Sequence, residues 1–219
     1  VEAGTAARQH GLITFDQALA LGLSPQQVQR RVARGRWTRM HRGVFRVAGT
    51  PPSWQGSALA ACFAAPPGAR TSHLTAAAVS GLGEPPPTMP DVTVGPGRSS
   101  RLQNVTVHRS ALAPEDGTVI QAIPTTTVAR TLVDCAGILG PVRLQRLVDE
   151  AFHRHLVRPA QVTAAWTRAR RAPGRTGETR LRTAIEPWTG PIQPGSPAEM
   201  RLCQRLIQCG LPEPELQIV

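Results

Sequence analysis

The chain has 219 residues, enough for one large domain or two to three small ones, each with a modest core. It carries 25 basic against 14 acidic residues, a net charge of +11, which puts nucleic acid ahead of an acidic protein or an anionic membrane as the first partner to consider. Every basic residue is arginine, whose planar fork suits phosphate and guanine edges; a chain rich in Ala, Arg, Gly and Pro and lacking Lys and Tyr also bears the stamp of a GC-rich genome, so only the clustering of arginine argues for function.

In chain order, Gly11 follows a first helix, and Thr14 with Gln17 forms a capping box that opens a short helix ending at Leu21-Gly22. Ser24-Pro25-Gln26-Gln27 repeats the signal with proline at the first helical position, for a helix running to about Ala33 and stopped by Gly35. Val28 and Val32 are spaced to face inward, leaving Gln26, Gln27, Gln29, Arg30 and Arg34 outside. Two short helices joined across Gly22-Leu23 have the order of a helix-turn-helix. Trp37–Met40 and Val44–Val47 then read as a hairpin turned at His41-Arg42-Gly43, a β wing with Arg42 at its tip.

Between Val28 and Val47 arginine stands at 30, 31, 34, 36, 39, 42 and 46, with no acidic residue among them. The expected DNA-binding set is therefore Gln26, Gln27, Gln29, Arg30, Arg31 and Arg34 on the recognition helix, with Arg36, Arg39, Arg42 and Arg46 for the phosphate backbone and wing. The plain alternative is a basic, solvated hairpin of an ordinary interaction domain. Gly11-Leu-Ile-Thr14, Ala20-Leu-Gly-Leu-Ser24, Arg31-Val-Ala-Arg-Gly35 and Met40-His-Arg-Gly-Val-Phe45 resemble the N-terminal winged helix of the AbiEi-type antitoxins and their actinobacterial relatives. The resemblance implies an operator-binding domain that represses its own operon.

From Ser53 to about Ala172 helices alternate with strands. Serine caps predict helices over Trp54–Ala65 and His73–Ser80, and the proline run from Glu84 to Pro90 is a stiff connector. Asp91–Val94, Val105–Arg109 and Thr118–Ala122 read as three strands, followed by helices over Thr125–Ala136, Val142–His155 and Pro159–Arg171. Thr71-Ser-His-Leu-Thr-Ala-Ala-Ala78, Val107-His-Arg-Ser110 and the stretch from Ile123 to Asp134 resemble the same antitoxin-type proteins, which implies architecture and a protein-partner surface but no catalytic residue. Ser72 and His73 are adjacent, so an N-cap serine explains them better than a nucleophile and base; Arg130 and Asp134 are i, i+4 ion-pair partners; His153 and His155 point apart on a helix, short of a metal site. Gly95-Pro-Gly-Arg-Ser-Ser100 lacks the lysine and spacing of a phosphate-binding loop.

A basic linker, Arg170 to Gly177, a short helix to Glu186 and Gly190-Pro-Ile-Gln-Pro-Gly195 lead to a last helix opened by Ser196-Pro-Ala-Glu199. This stretch resembles the opening of a domain of unknown function related to the very-short-patch-repair (Vsr) endonucleases, of restriction-endonuclease-like fold. That resemblance implies Glu199 as one carboxylate ligand of Mg²⁺ and as a catalytic residue, with partners on later strands; Glu199 is equally the third position of a capping box.

The overall expectation is an α+β protein: a winged helix-turn-helix over 1–50, a mixed α/β antitoxin-like domain over 51–190, and over 191–219 the start of a Vsr-like nuclease domain. The chain opens without methionine and closes inside what reads as a strand, so it is expected to be one part of a longer protein, holding no cofactor itself and catalytically inert, with Mg²⁺ and endonuclease activity open for the full length. Four cysteines without C-x-x-C spacing, no signal peptide and no bilayer-length apolar run predict a cytoplasmic protein with reduced thiols. The expected partners are double-stranded DNA and a cognate toxin or other protein, with no membrane.

Overall fold

The computed structural model describes residues 2–83, 85–97, 101–169 and 176–189, together with 202, 203, 205, 206 and 209–211. Glu199 and most of the segment expected to open a nuclease-like domain lie outside the described residues.

The N-terminal unit runs α1 (Glu2–Ala7), β1 (Leu12–Thr14), α2 (Phe15–Ala20), α3 (Pro25–Ala33), β2 (Trp37–His41) and β3 (Val44–Val47). Both capping boxes close as the sequence predicts. Thr14 Oγ1 accepts from Gln17 N at 3.1 Å while Thr14 N donates to Gln17 Oε1 at 3.0 Å, and Ser24 with Gln27 does the same at 3.2 and 2.7 Å. Each cap supports its helix by about 1 kcal/mol. β1, which the sequence reading lacks, pairs antiparallel with β3, giving a three-stranded sheet in the order β1-β3-β2.

Alternation along these strands sends two sets of apolar side chains in opposite directions. Ile13, Trp37, Phe45 and Val47 meet Ala18, Val28 and Val32 of α2 and α3. Leu12, Met40 and Val44 instead meet Leu59 and Ala60 of α4 (Trp54–Ala64) and Ile123. The sheet is thus covered on both faces.

A second sheet holds five strands in the order β6-β5-β4-β8-β7: β4 (Arg70–Thr71), β5 (Asp91–Val94), β6 (Thr106–Arg109), β7 (Gly117–Ile120) and β8 (Ile123–Thr126). Pairs β4/β8 and β5/β6 are parallel and the others antiparallel. The three strands expected here are therefore joined by β4 and by β8, which takes residues assigned from sequence to the next helix. α4 lies on this sheet too, through Ala61 and Cys62 against Val92 and Val94. Its alanine-rich sequence has a physical reason, since small side chains on opposite sides of one helix let two sheets approach it closely.

The other face of the five-stranded sheet receives α5 (His73–Val79) and α6 (Val128–Ala136), and α7 (Pro141–His153), α8 (Pro159–Ala169) and α9 (Glu178–Ile185) complete a helical layer around Leu132, Leu144, Leu147, Val162, Leu181 and Trp188. α9 docks on the end of α6 at Gly177, whose φ of +97° suits glycine and where a Cβ would meet the Ala136 carbonyl oxygen at 2.2 Å.

Candidate nucleic-acid interface

α3 is phased by its cap and by Val28, which is buried. At 3.6 residues per turn, this puts Arg30 in the middle of the outward face, with Gln26 and Arg34 beside it, Gln29 on one flank, and Gln27 and Arg31 on the other. Gln26, Gln27, Gln29, Arg30 and Arg34 are all exposed. Gln27 spends its amide oxygen on the capping box, so toward a ligand it can offer only its amide N–H groups.

Arg31, on the flank of α3 nearest the hairpin, is half-buried with its guanidinium 5.7 Å from the centre of the Trp37 ring. Arg39 lies 5.9 Å from the Phe45 ring, and the two rings are 5.5 Å apart. Cation–π contacts of this kind are worth about 0.5–1 kcal/mol at exposed sites. Arg36 is exposed between α3 and β2, and Arg42 is exposed in the hairpin turn, where Gly43 has a φ of +73°. His41 beside it is partly buried, and burial lowers its pKa from the usual 6.5.

Arg46 departs from the expected set. It has the parity of Val44, pairs across the sheet with Thr38 and Leu12, and so leaves on the α4 face, away from α3. The structure gathers Arg30, Arg31, Arg34, Arg36, Arg39 and Arg42 along α3 and the hairpin, and separates Arg46 from them. Among the described residues, none of Arg30, Arg34, Arg36, Arg39 and Arg42 is held in an ion pair. A duplex approaching this face meets positive charge with no acidic competitor between Pro25 and Val47.

The remaining polar constellations are interior. Arg130, fully buried, donates from Nη1 to Asp116 Oδ2 and from Nε to Asp134 Oδ1, both at 2.9 Å, and from Nη2 to Ser110 Oγ at 2.8 Å. Asp116 also accepts two bonds from Arg168, at 2.7 and 3.0 Å. The i, i+4 pair read from sequence is thus the centre of a network tying the β6–β7 connection to α6 and α8.

Ser72 corrects a sequence expectation. It precedes α5 in extended conformation, but its hydroxyl makes no cap bond; Ser72 Oγ lies 2.9 Å from His73 Nδ1 and accepts from Thr93 Oγ1 at 2.8 Å. The two side chains can meet although adjacent in sequence because Ser72 precedes the helix and His73 has a φ of +50°. His73 stacks on His108 at 3.6 Å, and His108 Nε2 is 2.9 Å from Asp91 Oδ1. Ser72 has no solvent access, so this Ser/His pair exposes no nucleophile.

Among the described residues no three His, Cys, Asp or Glu side chains form a cation cage, and no helix is long and apolar enough to cross a membrane. A cleft lined by Trp54, Ser57, Thr75, Pro86, Pro87 and Pro90 presents no charged group.

Residues 5–48 match the family described as "Transcriptional regulator, AbiEi antitoxin". In three dimensions the chain is similar to the RV2827C protein from Mycobacterium tuberculosis, with a TM-score of 0.54 and 16% identity over 99% of this chain and 81% of that one, a likeness of fold. No curated protein matches the sequence.

Proposed function

We propose that this chain is a double-stranded DNA-binding regulator of antitoxin type, which lays α3 in the major groove and the β2–β3 hairpin along the flanking backbone. One observation carries the reading: the exposed faces of α3 and the hairpin present five solvent-facing arginines, Arg30, Arg34, Arg36, Arg39 and Arg42, with no acidic residue on the same segment. Arg30 and Arg34, with Gln26 and Gln29 beside them, reach base edges; Arg36 and Arg42 meet phosphates. The family match at residues 5–48 supports the coarser reading of a DNA-binding regulator of antitoxin type.

The test is fluorescence anisotropy of duplex DNA against the wild-type chain and a R30E/R34E variant. The reading requires tight, salt-sensitive binding that the variant loses; equal affinity of the two removes it.

An antitoxin can also act through protein contact, and the antitoxin description of the family matched at residues 5–48 supports a toxin as a second partner. Co-purification with the product of a neighbouring gene tests this. A Mg²⁺-dependent endonuclease in the full-length protein is a separate proposal resting on the sequence resemblance around Glu199; plasmid nicking by the full-length protein that disappears in E199Q would support it, and no nicking by the full-length protein in Mg²⁺ removes it.

A further inference from the structure

Six arginines line α3 and the hairpin, but they differ in how they are held. Arg30 and Arg34 extend from the open face of a helix, whereas Arg31 and Arg39 each hold the guanidinium carbon within 6 Å of an aromatic ring centre, and those rings pack on each other. The result is a continuous stack, Arg31–Trp37–Phe45–Arg39, that joins the last turn of α3 to the hairpin. Trp37 and Phe45 are 2% and 3% exposed, so the platforms belong to the core. Arg31 is held further by an Nη1 contact of 3.5 Å to the Gln27 carbonyl.

We propose that this stack is a rigid backbone clamp: Arg31 and Arg39 bind the sugar-phosphate strand bordering the groove that α3 enters, independently of sequence, and sequence discrimination falls to Arg30 and Arg34. The proposal rests on the DNA-binding reading above and assigns roles within it. A guanidinium held near a ring samples fewer directions than one on an open helix face, and its fork of N–H donors suits phosphate oxygens. Held in place before binding, such a side chain gives up little rotamer freedom when it meets the phosphate. Phosphate is the ligand that suits it, because the backbone presents the same oxygens at every step. Reading a base edge needs a side chain free to reach away from the protein surface, which suits exposed Arg30 and Arg34 better than a guanidinium held near a core ring. The register supports the pairing, since Trp37 and Arg39 share the α3 side of β2, and Arg39 stands directly opposite Phe45.

The experiment compares two fluorescent duplexes of equal length, one enriched by the wild-type chain from a random pool and one of scrambled sequence, across a salt series. R31Q/R39Q is expected to weaken both by the same factor, about tenfold or more, with the ratio between them unchanged and the slope of log affinity against log salt reduced by about 2. R30Q/R34Q is expected to weaken the enriched duplex much more than the scrambled one. F45L, which removes the ring under Arg39 without altering charge, is expected to weaken both duplexes equally and leave the salt slope unchanged; it decides the matter if R31Q/R39Q does not fold. An unchanged scrambled-duplex affinity and slope in R31Q/R39Q, a fall in its discrimination ratio, or wild-type affinity in F45L overturns the clamp. If the wild-type chain binds neither duplex, the DNA-binding reading itself fails.

Discussion

Arg39 and Arg46 sit one register step apart on neighbouring antiparallel strands and leave the three-stranded sheet on opposite faces, Arg39 opposite Phe45 on the α3 side and Arg46 opposite Thr38 on the α4 side. Equal charge and near-equal position along the wing therefore predict unequal effects. R39Q is expected to lower duplex affinity by about fivefold or more, the loss of one charge-assisted contact, and R46Q to change it by less than about twofold. Anisotropy titrations at one salt concentration compare them; matching losses would place both residues on the interface.

Buried charge makes Arg130 a sensitive position for stability. Its guanidinium is fully buried and is shared by Asp116 and Asp134, so R130M removes from both carboxylates a buried cation that they contact at 2.9 Å. Removing one partner of a buried ion pair costs about 3–5 kcal/mol. Urea unfolding should show a loss of that size, whereas a change below about 1 kcal/mol would mean that the network is solvated in solution.

Backbone geometry sets the expectation at Gly177. An alanine there would place Cβ 2.2 Å from the Ala136 carbonyl oxygen at a φ of +97°, and carbonyl and turn cannot both stay where they are. G177A is expected to destabilise by about 1–3 kcal/mol, with faster amide exchange concentrated in α9. Wild-type exchange in α9 would contradict the tight docking of its first turn.

Alkaline pH bears on Cys62. The chain has neither lysine nor tyrosine to mask its contribution. Burial pushes the Cys62 thiol from an ordinary value of 9.0 up to about 12, opposed only weakly by the Thr71 backbone and Arg70. A raised folded-state pKa means that the folded chain keeps the proton longer. The contribution is fully present below pH 9 and is lost as pH climbs toward 12. Stability measured across that range should fall for wild type and fall less steeply in C62A. At neutral pH, exposed Cys209 should react with a thiol reagent and Cys62 should not.

The helix-turn-helix was legible because its signals are local: two capping boxes fix where α2 and α3 begin, and the cap then fixes which face of α3 is outside. The direction of Arg46 was not. β3 is apolar at consecutive Val44 and Phe45 because both faces of its sheet are covered, so the usual alternation that assigns faces is hidden. β1 and β4, of three and two residues, exist through pairing with distant partners and carry no periodicity of their own. β8 was concealed by Pro124, a residue that argues against an inner strand; here its carbonyl accepts from Thr71 Oγ1, and the missing N–H is tolerated. The Ser72–His73 contact depended on a left-handed φ at His73 that nothing nearby in the sequence announces.

The central claim is that the α3 and hairpin arginines dock on a double helix, and the most direct measurement is duplex affinity as a function of salt. With Arg36, Arg39 and Arg42 and the half-buried Arg31 meeting phosphates, log affinity should fall linearly with log salt with a slope of about −3 to −5, and R30E/R34E should abolish binding at moderate salt. A flat salt dependence, or a variant that binds as tightly as wild type, would contradict the account.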